Sequence, residues 1–126
     1  MNQYTEVKLL NLVEEILNLD VAMRFVAIID LKGNILEAIM KEKKTSLESQ
    51  KQQEKFCKDS AKARLMREYY DDSLGKTRYA HVERENVTQI YVYPKKSTIF
   101  VTMEPELSID RKMEIITKIK KLTSNL

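Results

Sequence analysis

The stretch Arg24-Phe25-Val26-Ala27-Ile28-Ile29-Asp30-Leu31-Lys32-Gly33-Asn34-Ile35-Leu36-Glu37-Ala38-Ile39 constrains the fold of this chain more than any other. Phe25 to Ile29 is apolar at every position and carries β-branched residues. That is the pattern of a strand covered on both faces rather than one with a wet side. Lys32-Gly33-Asn34 supplies a reversal, because glycine and asparagine tolerate the positive φ of a tight turn. Residues 35 to 41 read as the return strand. Gly33 is one of only two glycines in 126 residues, so its place at this turn carries weight.

The other elements follow from periodicity and punctuation. Residues 6 to 18 place Val7, Leu10, Val13 and Leu17 on one helical stripe, with Leu9, Leu12 and Ile16 beside it, an arc wide enough to lie on a sheet. Thr45-Ser46-Leu47-Glu48 fits a capping box with Thr45 as the cap, opening a long helix over roughly residues 46 to 70. The first half of that helix is polar. Its second half carries Phe56, Cys57, Ala63, Met66, Tyr69 and Tyr70, and Asp71-Asp72-Ser73-Leu74-Gly75 ends it. Strands over 76–84, 88–93 and 98–103 follow, turned at Glu85-Asn86 and at Pro94-Lys95-Lys96-Ser97, with Pro105 as the stop. Ser108 or Asp110 caps a last helix bearing Ile109, Met113, Ile116, Ile119 and Leu122. No internal repeat or linker interrupts this order, so residues 1–126 read as one domain.

Composition narrows the class. A hydrophobic fraction of 43% and a charged fraction of 33% suit an ordinary soluble domain. The 22 basic and 19 acidic residues leave a net charge of +3, too small an excess to mark a nucleic-acid surface. Cys57 is the single cysteine, so no intrachain disulfide forms and a reducing, cytoplasmic setting is expected. The segment Met1 to Glu6 lacks the features of a signal peptide, and no apolar run approaches the roughly 20 residues of a membrane span.

The search for chemistry returns mostly negatives. With glycine only at positions 33 and 75, neither a phosphate-binding loop nor a nucleophile elbow can be built. His81 is the sole histidine. As a general base it would need Glu83 or Glu85 to orient it and a nucleophile that the sequence does not offer. Cys57 lies among apolar helix positions and reads as a small core residue. Asp71 and Asp72, with Asp30, raise hard-metal binding, but no calcium-loop spacing is present, and as solvated acids the pair opposes the dipole of the helix it ends. The expectation is no catalytic residue, no metal and no cofactor. The tyrosines weigh more. Tyr79, Tyr91 and Tyr93 are expected to share the face opposite Ala80, Val82, Ile90 and Val92, with Arg78, Arg84, Lys95 and Lys96 nearby. Such a face suits a protein interface better than stacked bases, since the RRM signature is absent.

The order helix, two-stranded hairpin, helix, three-stranded meander, helix resembles the roadblock/dynein light chain family within the profilin-like and longin-like group. The residues that carry the resemblance are Val26-Ala27-Ile28-Ile29-Asp30-Leu31-Lys32-Gly33-Asn34-Ile35-Leu36, similar to that family's first two strands. The polar stretch Glu48 to Lys55 departs from the family, whose second helix is usually shorter. The lysine-rich, glycine-poor composition points toward an archaeal source. The resemblance implies an α+β fold with a five-stranded antiparallel sheet and helices on both faces. It also implies homodimers in which third strands and second helices of two copies meet, and roles as adaptors, scaffolds or regulators of small GTPases. Phe56, Ala63, Tyr70, Tyr79, Ala80 and His81 are the expected interface residues. The alternative is a small-ligand sensor of the PAS or profilin-like type, which needs an apolar cavity lined by Phe25, Phe56 and Phe100.

Overall fold

The computed structural model describes residues 3–42, 44 and 47–126. Its elements are α1 (Gln3–Leu17), β1 (Met23–Asp30), β2 (Ile35–Met40), α2 (Gln50–Glu68), α3 (Asp71–Leu74), β3 (Tyr79–Glu83), β4 (Thr88–Val92), β5 (Ser97–Met103) and α4 (Ile109–Leu122). The strands form one antiparallel sheet in the order β2-β1-β5-β4-β3. β1 and β5 therefore lie inside the sheet, as the unbroken apolar run of β1 requires. β2 and β3 are its edges.

Strand alternation divides the core in two. On one face Val26 and Ile28, Ile90 and Val92, and Ile99 and Val101 pack under α1 and α4. On the other, Ala27, Ile29, Tyr91 and Phe100 face α2 through Cys57 and Phe56. α1 buries Leu9, Val13, Ile16 and Leu17, whereas Val7 and Leu10 are exposed, so the buried stripe is rotated from the expected one. α4 is likewise turned. It buries Lys112, Ile115, Ile116 and Ile119 and exposes Ile109. Ser108 is its cap, accepting from Arg111 N at 3.2 Å, and Arg111 reaches back to Asp20 Oδ2 at 2.8 Å.

α2 starts later than the Thr45 box predicts. Ser49 caps it, accepting from Gln52 N, while Gln52 Oε1 takes the Ser49 amide at 2.8 Å. The same Ser/Thr-x-x-Glu/Gln pattern thus recurs one turn further along, and there it closes. Thr45 itself lies outside the described residues. The helix ends at Glu68, not at 70. Asp71 and Asp72 open the short α3, where acids suit the helix start, rather than weakening the end of α2.

The hairpin turn is held by Asp30. Its Oδ1 accepts from Lys32 N at 2.9 Å and Asn34 N at 2.8 Å, and its Oδ2 from Asn34 Nδ2 at 3.0 Å. Burial pushes the Asp30 carboxyl up, but these donors and the nearby Lys58 hold it below its ordinary value. The turn thus occupies the residue that sequence reading weighed for a metal. Gly33 has a φ of +90°, and a Cβ there would sit 2.7 Å from Lys58 Cα and 2.9 Å from the Cys57 carbonyl oxygen. The glycine serves the turn and also lets the α2 backbone touch it.

Gly33→Ala is therefore expected to lower unfolding free energy by about 2–4 kcal/mol, combining the left-handed backbone penalty with a clash against rigid backbone. Gly75 also has positive φ, at +83°, but a Cβ there meets nothing within 4 Å. Urea unfolding should show a smaller loss for Gly75→Ala. Equal losses would mean that the contact with α2 is unimportant.

Candidate interaction site

Among the described residues, no group of three or more His, Cys, Asp or Glu side chains gathers to hold a metal ion. Cys57 is buried on the inner face of α2. Burial, helped by Glu48 and Glu54, pushes its thiol up to about 11, so it stays protonated at neutral pH. His81 does meet Glu83, with Nε2 3.0 Å from Oε1. Glu83 also accepts from Thr88 Oγ1 at 2.7 Å and from Lys112 Nζ at 3.0 Å, and the Lys112 ammonium donates in turn to the Pro105 carbonyl. Lys112 is only 4% exposed. The cluster is a tie between α4 and the edge strand, with the carboxylate neutralising a buried cation.

The His81 bond, with those of Thr88 and Lys112, holds the Glu83 carboxyl down to about 2 against an ordinary 4.5. A depressed carboxyl stabilises the fold above its unfolded value and loses that contribution as pH falls through its folded one. The urea midpoint is expected to fall between pH 4.5 and pH 2, and Glu83→Gln should flatten part of that slope. An unchanged slope in Glu83→Gln would assign the acid sensitivity to other carboxyls, such as Asp20 beside Ala22 N and Arg111.

The open ground of the molecule is the β3 edge and the α2 surface beside it. β3 pairs with β4 alone, in unbroken register from Tyr79↔Val92 to Glu83↔Thr88. Directly paired residues share a face, so Ala80 lies with Tyr91, and Tyr79 lies with Val92. Tyr79 thus packs toward α4, its hydroxyl 3.6 Å from Met113 Sδ, while Tyr91 and Tyr93 face α2. The expected single face of Tyr79, Tyr91 and Tyr93 is not formed. The cause is register, which sets odd residues of β3 opposite even residues of β4.

Of the six expected interface residues, Phe56 and Ala63 line a groove between α2 and the sheet edge together with Ser60, Arg67, Val82 and Tyr91. Ala80 packs on the same side. Tyr79 and His81 belong to the same strand; Tyr79 packs on the opposite side of the sheet, toward α4. Tyr70 sits past the end of α2, its ring edge-on to Tyr69 at 5.1 Å, and Leu65, Met66 and Leu74, close to it in sequence, are exposed. Tyr69 is 83% exposed. Sequence reading missed Arg64, which is buried on the inner face of α2. Its guanidinium donates to the Ser97 carbonyl, to Thr98 Oγ1 at 3.1 Å and to Glu68 Oε1 at 3.0 Å, and lies 4.9 Å over the Tyr93 ring. Arg67 donates to the Tyr93 hydroxyl at 2.7 Å. The spacing of Cys57, Ser60 and Arg64 on one helical face was the available signal.

A five-stranded antiparallel sheet in this order, with two helices on one face and a long helix on the other, is the roadblock/profilin-like α+β fold. Within it, the chain belongs to the family described as a family of unknown function (DUF6659), which matches residues 6–125. No curated protein matches the chain. Among solved structures it resembles the gliding protein MglB from Thermus thermophilus, at 9% identity and a TM-score of 0.82, covering 99% of this chain and 92% of that one. It resembles Myxococcus xanthus MglB at 10% identity and a TM-score of 0.78, covering 99% and 91%. A roadblock/LC7 domain from Streptomyces avermitilis aligns at 8% identity and a TM-score of 0.70, covering 90% of each chain. At such identities the likeness is one of fold. No helix among the described residues is long and apolar enough to cross a membrane.

Proposed function

We propose that this protein is a non-enzymatic, homodimeric interaction module that regulates or scaffolds a small GTPase. The observation that carries the reading is the unpaired β3 edge running beside an open groove on α2. A second copy related by a two-fold axis can add its own β3 to that edge and lay α2 beside α2, an isologous contact that closes on itself. Phe56, Ala63 and Val82 then lose their exposure together. MglB, which shares the fold, has been solved in a tetrameric arrangement, so this scaffold supports association. The partner surface is the outer side of α2 and α3, where Leu65, Met66, Tyr69 and Leu74 stand exposed within ten residues of chain. Apolar and aromatic side chains gathered in this way mark protein contact. The GTPase as partner rests on the roadblock resemblance. The setting proposed is the cytoplasm.

Light scattering coupled to size exclusion should give twice the 14.8 kDa chain mass. Neighbouring residues of an edge strand donate alternately to its two sides, so of Tyr79→Pro and Ala80→Pro one removes a donor facing the second copy and should give monomer. Ala63→Arg, on the groove wall, should act likewise without touching the ladder. A strict monomer at high concentration, or a dimer that survives all three changes, would remove this interface. For the partner, Met66→Asp should weaken binding to a purified small GTPase of the source organism by at least tenfold while leaving the dimer intact.

A further inference from the structure

The backbone phase of β3 decides which of its residues a second copy would meet. Arg84 N donates to the Val87 carbonyl at 3.0 Å, closing the β3–β4 hairpin. Hydrogen-bonded and non-bonded pairs alternate along an antiparallel ladder, so Val82 and Ala80 also turn their amides and carbonyls toward β4. Those of Tyr79, His81 and Glu83 point to the open edge. A two-fold axis that sets α2 beside α2 stands perpendicular to the sheet and keeps each face with its like. Directly paired residues share a face, so odd residues meet odd ones and one residue must pair with itself. Centred on Ala80 or Val82, the overlap shrinks to residues 79–81 or 81–83. Only His81 at the centre engages the whole strand, Tyr79–Glu83.

We infer that the dimer axis passes beside His81, and that protonation of the two facing imidazoles drives the copies apart. This rests on the dimer proposed above and assigns its register and its control by pH. The His81 side chain is only 20% exposed before any second copy covers it. Alternation puts it on one face with Tyr79 and Glu83. Its Nε2 meets Glu83 at 3.0 Å, and that carboxylate also binds Thr88 of β4 and Lys112 of α4. Tyr79 turns its hydroxyl to Met113, and Ile90, paired with His81 on β4, carries no charge. With His81 neutral, each copy brings Lys112 against Glu83 and the charges cancel. With His81 protonated, each brings two cations, His81 and Lys112, against one carboxylate. Two such clusters that meet on an axis, shielded from water, repel. Histidine is the side chain that ordinarily changes charge between pH 5 and 8, and His81 is the sole histidine of the chain. Glu83 stays ionised across that range, its carboxyl held down to about 2.

Sedimentation equilibrium of the full chain at pH 7.5 and pH 5.5 reads the dimer dissociation constant. It is expected to rise by about tenfold or more in acid, with the far-ultraviolet circular dichroism unchanged. His81→Gln should hold one dissociation constant at both pH values. His81→Lys, charged throughout, should already be weakened about tenfold at pH 7.5. The register has its own readout. His81→Cys brings together two thiols on residues whose Cα atoms lie about 5.5 Å apart, within disulfide reach, whereas Ala80→Cys faces Val82 of the second copy. Mild oxidation should therefore cross-link His81→Cys about tenfold faster than Ala80→Cys, while Cys57 stays buried. A dimer whose dissociation constant ignores pH, a pH response that survives in His81→Gln, or equal cross-linking through Ala80→Cys would overturn the inference and leave the dimer standing. A strict monomer at both pH values would remove the dimer and the inference together.

Discussion

The structure depends on the unequal cover of the two faces of one sheet. Under α1 and α4 the face is closed by aliphatic side chains such as Val13, Ile16, Ile115 and Ile119, none of them exposed, meeting the β-branched residues of β1, β4 and β5. Aliphatic side chains of similar size interdigitate to high density, and this half can supply the folding energy of the domain. The other face has one helix, and its three buried residues are Cys57, Ser60 and Arg64. A helix with that inner stripe cannot be held by hydrophobic burial alone.

α2 is held at points instead. Gly33 admits its backbone against the hairpin turn, and Lys58 donates to Asn34 beside that contact. Ser60 returns its hydroxyl to the Phe56 carbonyl and also meets the Tyr91 side chain of β4. Arg64 clamps the last turns to the carbonyls of the β4–β5 turn. Between these pins the helix rides on Phe56, Tyr91 and Phe100, rings too large and too few to fill the layer evenly. The groove along the side of α2 is a result of that spacing.

How much of this was legible in the chain varied with the physics involved. The hairpin was plain, because an uninterrupted apolar strand and a positive-φ glycine are local signals. Element order followed for the same reason, and the sheet-and-helix layers through the resemblance. Helix faces were less legible. Val7 and Leu10 or Leu9 and Ile16 fit one periodicity equally well, and only the sheet's position selects between them. The close approach at Gly33 was invisible, since it joins residues 33 and 58 across the fold. Register was also invisible, and with it the true side of Tyr79. Of the groove beside β3, Phe56 and Ala63 were readable from apolar spacing. Arg64 and Lys112 were not, because long basic side chains are usually solvated and only tertiary acceptors pull them inward.

The two sheet edges differ in a way that bears on association. β2 is blunted: its pairing with β1 slips between Ile28 and Ile29, and the Ala38 amide is taken by the Glu37 carboxylate at 3.1 Å. A bulge and a side chain that occupies a backbone donor are devices that keep a second strand away. β3 has neither. Its register with β4 is regular over all five residues, and neither proline nor a bulge interrupts it. Its charged members are engaged in line with the strand or behind it, Glu83 with His81, Thr88 and Lys112. A regular edge, on a chain that blunts its other edge, supports the proposed pairing of two copies through β3. The groove beside it, lined by Phe56, Tyr91 and the small side chain of Ala63, is where the proposed dimer would lay its second α2.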